Sequence, residues 1–173
     1  MNNNKFSKLP PLTTPTLNVK WSNLLKPDVA FGESSANHNI TVVVDVELKT
    51  ILDSLLLKSG CKKINGLKEQ DGVLMLKAKS KVNVDKGRYP CVDSASTTTD
   101  AVPFGGDSVR LKLQPIVLTR DNSLSFYLNG IQIVTKELRQ TNSANGFSVV
   151  ENGFVSTAPS TVVVDVEDEE LPF

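Results

Sequence analysis

The chain has 173 residues, 39% of them hydrophobic and 22% charged, which is enough for one domain with its own core and too little for two. Nineteen basic residues balance nineteen acidic ones; five of the acids lie in the last eighteen residues, so the other fourteen face all nineteen cations and residues 1–155 carry +5. No apolar run approaches the roughly 20 residues needed to cross a bilayer, the first ten residues lack the apolar stretch of a signal peptide, and Cys61, Cys91 and the single His38 fit no zinc pattern, so no membrane, metal or cofactor is expected.

Residues 1–16 read as a flexible arm, because Asn2, Asn3 and Asn4, the pair Pro10 and Pro11, and Thr13, Thr14 and Pro15 give neither a helical nor a strand period. Order is expected from Leu17, where Leu17, Val19 and Trp21 alternate with Asn18, Lys20 and Ser22 in a first strand that a turn at Lys26, Pro27 and Asp28 ends. A β-branched strand follows over 40–47. Leu48, Ile51, Leu52, Leu55 and Leu56 then fall at helical spacing, and Gly60 stops the helix.

The second half is β-rich. Residues 73–84 form a long alternating strand, 89–92 a short one, and 109–118 another, in which Pro115 suits an edge or a bulge. A turn at Asp121 and Asn122 leads into a returning strand over 124–137 with Gly130 as a bulge. The expected class is mainly β, with five principal strands and one inserted helix; pattern alone leaves an open Greek-key barrel and a sandwich both standing.

Lys77, Lys79 and Lys81 occupy alternate positions, so in a strand all three point to one face, while Leu74, Leu76, Ala78, Ser80 and Val82 take the other. Neighbouring ammonium groups then lie roughly 6.5 to 7 Å apart, a spacing that suits successive phosphates of an extended single strand. Arg110 and Lys112 repeat the device opposite Val109, Leu111 and Leu113. Lys62, Lys63 and Arg88 add charge on flanking loops, and Arg120 sits at a turn. A solvated sheet face is built from the same alternation.

Exposed rings beside such cations decide between the two, because bases stack on them. Tyr89 adjoins Arg88, and Tyr127 shares the polar face of its strand with Ser125 and Asn129, opposite a core Phe126. Trp21 is the third candidate, although it shares its face with Leu17 and Val19 and burial there is the commoner fate of an indole. No nucleophile motif or phosphate-cradling glycine loop is present, and the run Phe104, Gly105, Gly106, Asp107 matches no nucleotide fingerprint. An enzyme is not expected.

Several segments, in order, carry a resemblance: Trp21 with Leu25, Lys26, Pro27 and Asp28; the run from Val92 through Asp100 and Gly105 to Leu113; Ile131 to Leu138; Glu151, Asn152, Gly153 and Phe154; and an acidic end closing on Phe173. The chain resembles the replication single-stranded DNA-binding protein of T-seven-like short-tailed bacteriophages. The resemblance implies an oligonucleotide-binding barrel (OB-fold) over residues 17–155 with an inserted helix, a homodimer, and no enzymatic activity; with no signal-peptide stretch, a cytoplasmic location, that of a bacterial host, is expected. It also implies that a tail over 156–173 docks on the phage DNA polymerase and primase-helicase and shields the DNA groove when DNA is absent. By position that role falls on Asp165, Glu167, Asp168, Glu169, Glu170 and Phe173. The chain departs from the family where Leu171 and Pro172 replace an acidic residue before the aromatic, and where Arg120 stands at a loop in which relatives carry rings. Rival readings are a β-sandwich virion decoration protein and a ring-forming annealing mediator.

Overall fold

The structure, a computed structural model, describes residues 6–81 and 87–137. In chain order it contains β1 (Phe6–Lys8), β2 (Leu12–Thr13), β3 (Leu17–Asp28), β4 (Asn37–Val43), α1 (Val46–Ser59), β5 (Lys63–Ile64), β6 (Leu67–Gln70), β7 (Val73–Lys79), β8 (Cys91–Val92), β9 (Thr98–Thr99), β10 (Ser108–Leu118) and β11 (Ser123–Thr135). Five of these close a ring. β3 pairs antiparallel with β4, β4 with β7, β7 lies parallel to β11, β11 pairs antiparallel with β10, and β10 returns to β3. A closed five-stranded barrel with one helix is an OB-fold, and it excludes the sandwich.

Alternation writes the barrel interior. Leu17 and Val19 from β3, Ile40 and Val42 from β4, Leu76 and Ala78 from β7, Leu111 and Leu113 from β10, and Leu124, Phe126 and Leu128 from β11 are all buried in one core. The expected bulge at Gly130 is present: Lys112 faces Gly130 and Leu113 faces Leu128, so one residue of β11 is extra and Ile131 and Ile133 resume the inward set. Both thiols are free and buried.

The helix forms where its spacing predicts. Asp45 caps it, its carboxylate accepting from the Leu48 amide at 2.7 Å; Leu48 and Leu52 enter the barrel core; and Gly60 ends it in the left-handed region with φ 67°. No helix among the described residues is long and apolar enough to cross a membrane.

Three expectations are corrected. Residues 6–13, read as part of a flexible arm, instead supply β1 and β2, which pair with β10 at Ile116 to Leu118 and at Lys112 and Leu113. Strands this short give no readable period, and their order comes from the β10 edge that they satisfy. Pro10 and Pro11 fall in the break between them, opposite the stretch of β10 that holds Pro115. The second correction is the turn at Lys26 to Asp28, which belongs to β3; the chain reverses later, around Ala30 and Phe31. Finally, the strand expected over 73–84 ends at Lys79, and 82–84 lie outside the described residues.

Candidate nucleic-acid interface

Residues directly opposite one another on neighbouring strands point to the same side of a sheet, so register locates the barrel's outer surface. Asn23 faces Asn39, Asn39 faces Lys79, Lys79 faces Tyr127, and Tyr127 faces Gln114. One step along, Trp21 faces Thr41 and Thr41 faces Lys77. Trp21, Lys77, Lys79 and Tyr127 thus lie on the side of β3, β4, β7 and β11 that faces away from the barrel core, with Thr41 and Asn39 buried between them on β4. Two strand spacings, about 10 Å, separate the backbones of Trp21 and Lys77.

Trp21 reaches this face because β3 contains a bulge. Val19 faces Val42 while Trp21 faces Thr41, so two steps on β3 match one on β4, and side-chain parity inverts after Val19. Leu17 and Val19 point inward, Leu24 resumes the inward set, and Trp21 is left 45% exposed; it does not share the face of Leu17 and Val19 as expected. The run Phe104 to Asp107 braces the bulge. The Gly106 amide donates to the Val19 carbonyl and the Val19 amide to the Asp107 carbonyl, each at 2.9 Å. At Gly105 a Cβ would come within 2.7 Å of the Lys20 carbonyl oxygen, so only glycine allows the approach. Asp107, 0% exposed, accepts from the Phe104 and Glu137 amides at 2.9 Å and from Lys136 at 3.2 Å. Burial opposes its ionisation, but these donors outweigh it and hold its pKa below the ordinary carboxylate value.

Lys77 and Lys79 line a cleft of about 400 Å³ together with Arg120, Asp28, Asn37, Asn65 and Phe31. Lys77 and Lys79 come from β7, Arg120 from the β10–β11 turn, and Phe31 from the loop between β3 and β4. In an OB-fold these are the second and third barrel strands and the loops joining strands one to two and four to five, where oligonucleotides bind. Phe31 is 91% exposed, an aromatic ring that lines the same cleft as three cations. Sequence reasoning missed it because it sits in a turn with no period; a lone phenylalanine beside Gly32 in a polar loop was the available signal.

The remaining predicted residues divide. Arg110 and Lys112 line a second cleft, of about 300 Å³, with Pro90, Thr98, Asn129 and Gln132, on β10 and so around the barrel from β7. The cations therefore form two groups, one in each cleft. Tyr89 is no stacking residue: it is 6% exposed, its hydroxyl donates to the Leu128 carbonyl at 3.0 Å, and its ring meets that of His38. Burial, and then neighbouring Cys91, push its phenol up to about 12. Lys63 pairs with Asp121 at 3.4 Å and Arg88 with Asp100 at 3.3 Å. Lys62, Lys63 and Arg120 nonetheless cluster where β5 meets the β10–β11 turn, since the Lys62 amide bonds the Asn122 carbonyl. Lys81 is exposed just past the end of β7. Asp165, Glu167, Asp168, Glu169, Glu170 and Phe173 lie outside the described residues.

No protein-family model and no curated protein matches the chain. Solved structures do. The chain superimposes on gp2.5, a single-stranded DNA-binding protein encoded by bacteriophage T7, with a TM-score of 0.57 and 15% identity over 87% of this chain and 100% of the other. The fold is that of a phage single-stranded DNA-binding protein. The bacteriophage Enc34 single-stranded DNA-binding protein in complex with single-stranded DNA gives a TM-score of 0.54 at 12% identity, covering 73% of this chain and 87% of that one. Its C-terminally truncated form gives 0.53 at 11% identity over the same shares. Both phage proteins carry the same barrel with very few residues in common, so the likeness is one of fold.

Proposed function

We propose that the chain binds single-stranded DNA across the β4–β7 face and serves phage DNA replication and recombination. The observation that carries this reading is the joining of Lys77, Lys79 and Arg120 with the exposed ring of Phe31 in one cleft, on the face that OB-folds use for oligonucleotides. Lysine and arginine neutralise phosphates, while Phe31, Tyr127 and Trp21 offer faces on which bases stack; the combination suits a single strand, whose bases are unpaired. Arg110 and Lys112 extend the path around the barrel. The binding of DNA by the Enc34 protein supports the same use of the fold here.

The acidic end completes the reading. Five carboxylates tethered to a body of +5 compete at high effective concentration with any polyanion that the body binds, and the terminal Phe173 gives a partner protein an apolar anchor. We assign this end to docking on the phage DNA polymerase and primase-helicase, within a homodimer. Mobility shifts with a labelled single strand and its duplex test the core of the proposal. Binding of the single strand in preference to duplex, lost as salt rises, is expected; equal affinity for both, or none for either, overturns it. A chain ending at Thr157 should bind single strands more tightly and fail to bind the polymerase.

A further inference from the structure

The cleft that holds Lys77, Lys79 and Arg120 also contains three polar groups whose hydrogen-bond directions are fixed by their neighbours. Asn65 Nδ2 lies 2.7 Å from Ser123 Oγ, and that hydroxyl lies 2.7 Å from Asp121 Oδ1. A carboxylate only accepts, so Ser123 donates to Asp121 and must accept from Asn65. The amide is thereby oriented, and its Oδ1 is open to a donor from a ligand. Asn37 is oriented in the same way, since its Nδ2 donates to the Ser35 carbonyl at 3.0 Å, an acceptor that admits no reversal. Asp28 accepts from the Ala30 amide at 3.0 Å and from Asn39 at 3.3 Å, and as a carboxylate it offers further lone pairs and no donor.

The cleft is therefore split by chemistry. Its cationic donors suit phosphates, whereas Asp28 and the oriented oxygens of Asn37 and Asn65 present acceptors, beside a Ser125 hydroxyl that can donate or accept. A phosphate is drawn to the cations and repelled by Asp28, which turns the base edges toward Asp28, Asn37 and Asn65. We propose that this cleft selects bases bearing an exocyclic amino group, so that cytosine- and adenine-rich strands are held more tightly than thymine or uracil tracts. Cytosine N4 and adenine N6 each present two hydrogens at the edge of the ring. Uracil and thymine present a single N3–H flanked by two carbonyl oxygens, and an acceptor that approaches it meets their lone pairs as well.

This inference rests on the single-strand reading, and a comparison of oligo-dC with oligo-dU separates the two. These strands share length, charge and pyrimidine size, lack the thymine methyl, and differ at ring positions 3 and 4. In the full chain dC should bind about tenfold more tightly than dU, within the discrimination that a good side chain–base pair supplies. Asn37→Ala, at a partly exposed position, and Asn65→Ser should each draw the ratio toward one while leaving the salt dependence of binding unchanged. Equal or tighter binding of dU by the full chain, or a dC preference undiminished in both variants, overturns the proposal while leaving single-strand binding intact. Absence of binding to either strand would overturn both readings together.

Discussion

Replacing Lys77 and Lys79 together by Ala removes two of the three cations of the β7 cleft, and its effect can be worked in advance. Each phosphate neutralised on a single strand contributes roughly −0.7 to the slope of log K against log salt. The β7 cleft supplies three such cations and the β10 cleft two, so the intact chain should show a slope of about −3.5 and the double variant about −2.1. Between about 50 and 200 mM salt that amounts to a loss of about 100-fold for the intact chain and about 20-fold for the variant. Both lysines are exposed, so thermal unfolding should be unmoved. The assay is anisotropy of a labelled oligonucleotide at four or five salt concentrations. A variant that loses affinity but keeps the original slope would refute the assignment of these lysines to phosphates.

Phe31→Ala should weaken single-strand binding by about 1 to 3 kcal/mol, the worth of one stacked base, and leave the salt slope and the melting temperature alone, as titration and calorimetry would report. Tyr89→Phe should do the reverse: loss of the hydrogen bond to the Leu128 carbonyl costs about 1 kcal/mol of stability with DNA affinity unchanged, and an affinity loss with intact stability would restore Tyr89 to the interface. Asp107 gives the fold an acid dependence. Its folded pKa is lowered, so its contribution is complete above the unfolded carboxylate value, about 4, and is lost as pH falls through the lower folded value. Asp107→Asn should cost about 2 kcal/mol at neutral pH and flatten chemical-denaturation stability below about pH 4 relative to the parent; parallel curves would contradict this.

Much of the scaffold was legible because strand and helix periods survive in the sequence. The alternation of Lys77 and Lys79 with Leu76 and Ala78 placed a cationic face correctly, and the leucines of α1 before Gly60 marked the helix, although its start at Val46 and its Asp45 cap lie in what reads as the end of the preceding strand. Legibility failed where tertiary contacts override period. Trp21 was read with Leu17 and Val19 because a bulge has no signature in an unbroken alternation; the brace that makes it lies more than eighty residues away, at Phe104 to Asp107. Tyr89 looked exposed beside Arg88 because sequence adjacency says nothing of the Leu128 carbonyl that claims its hydroxyl. Phe31 and the division of the cations into two clefts depend on loop position and on which strands neighbour one another around the barrel, which only closure of the β3–β10 contact determines.

The central claim, that a single strand lies across the outer face of β3, β4 and β7, meets its most direct test at Trp21. It is the chain's one tryptophan, partly exposed and in register with Lys77 through Thr41, so its emission reports on that face and on no other. Titration with a single-stranded oligonucleotide at low salt should change Trp21 fluorescence saturably, and added salt should reverse the change. A strand that binds by mobility shift while Trp21 emission stays constant would place the DNA elsewhere and contradict the account.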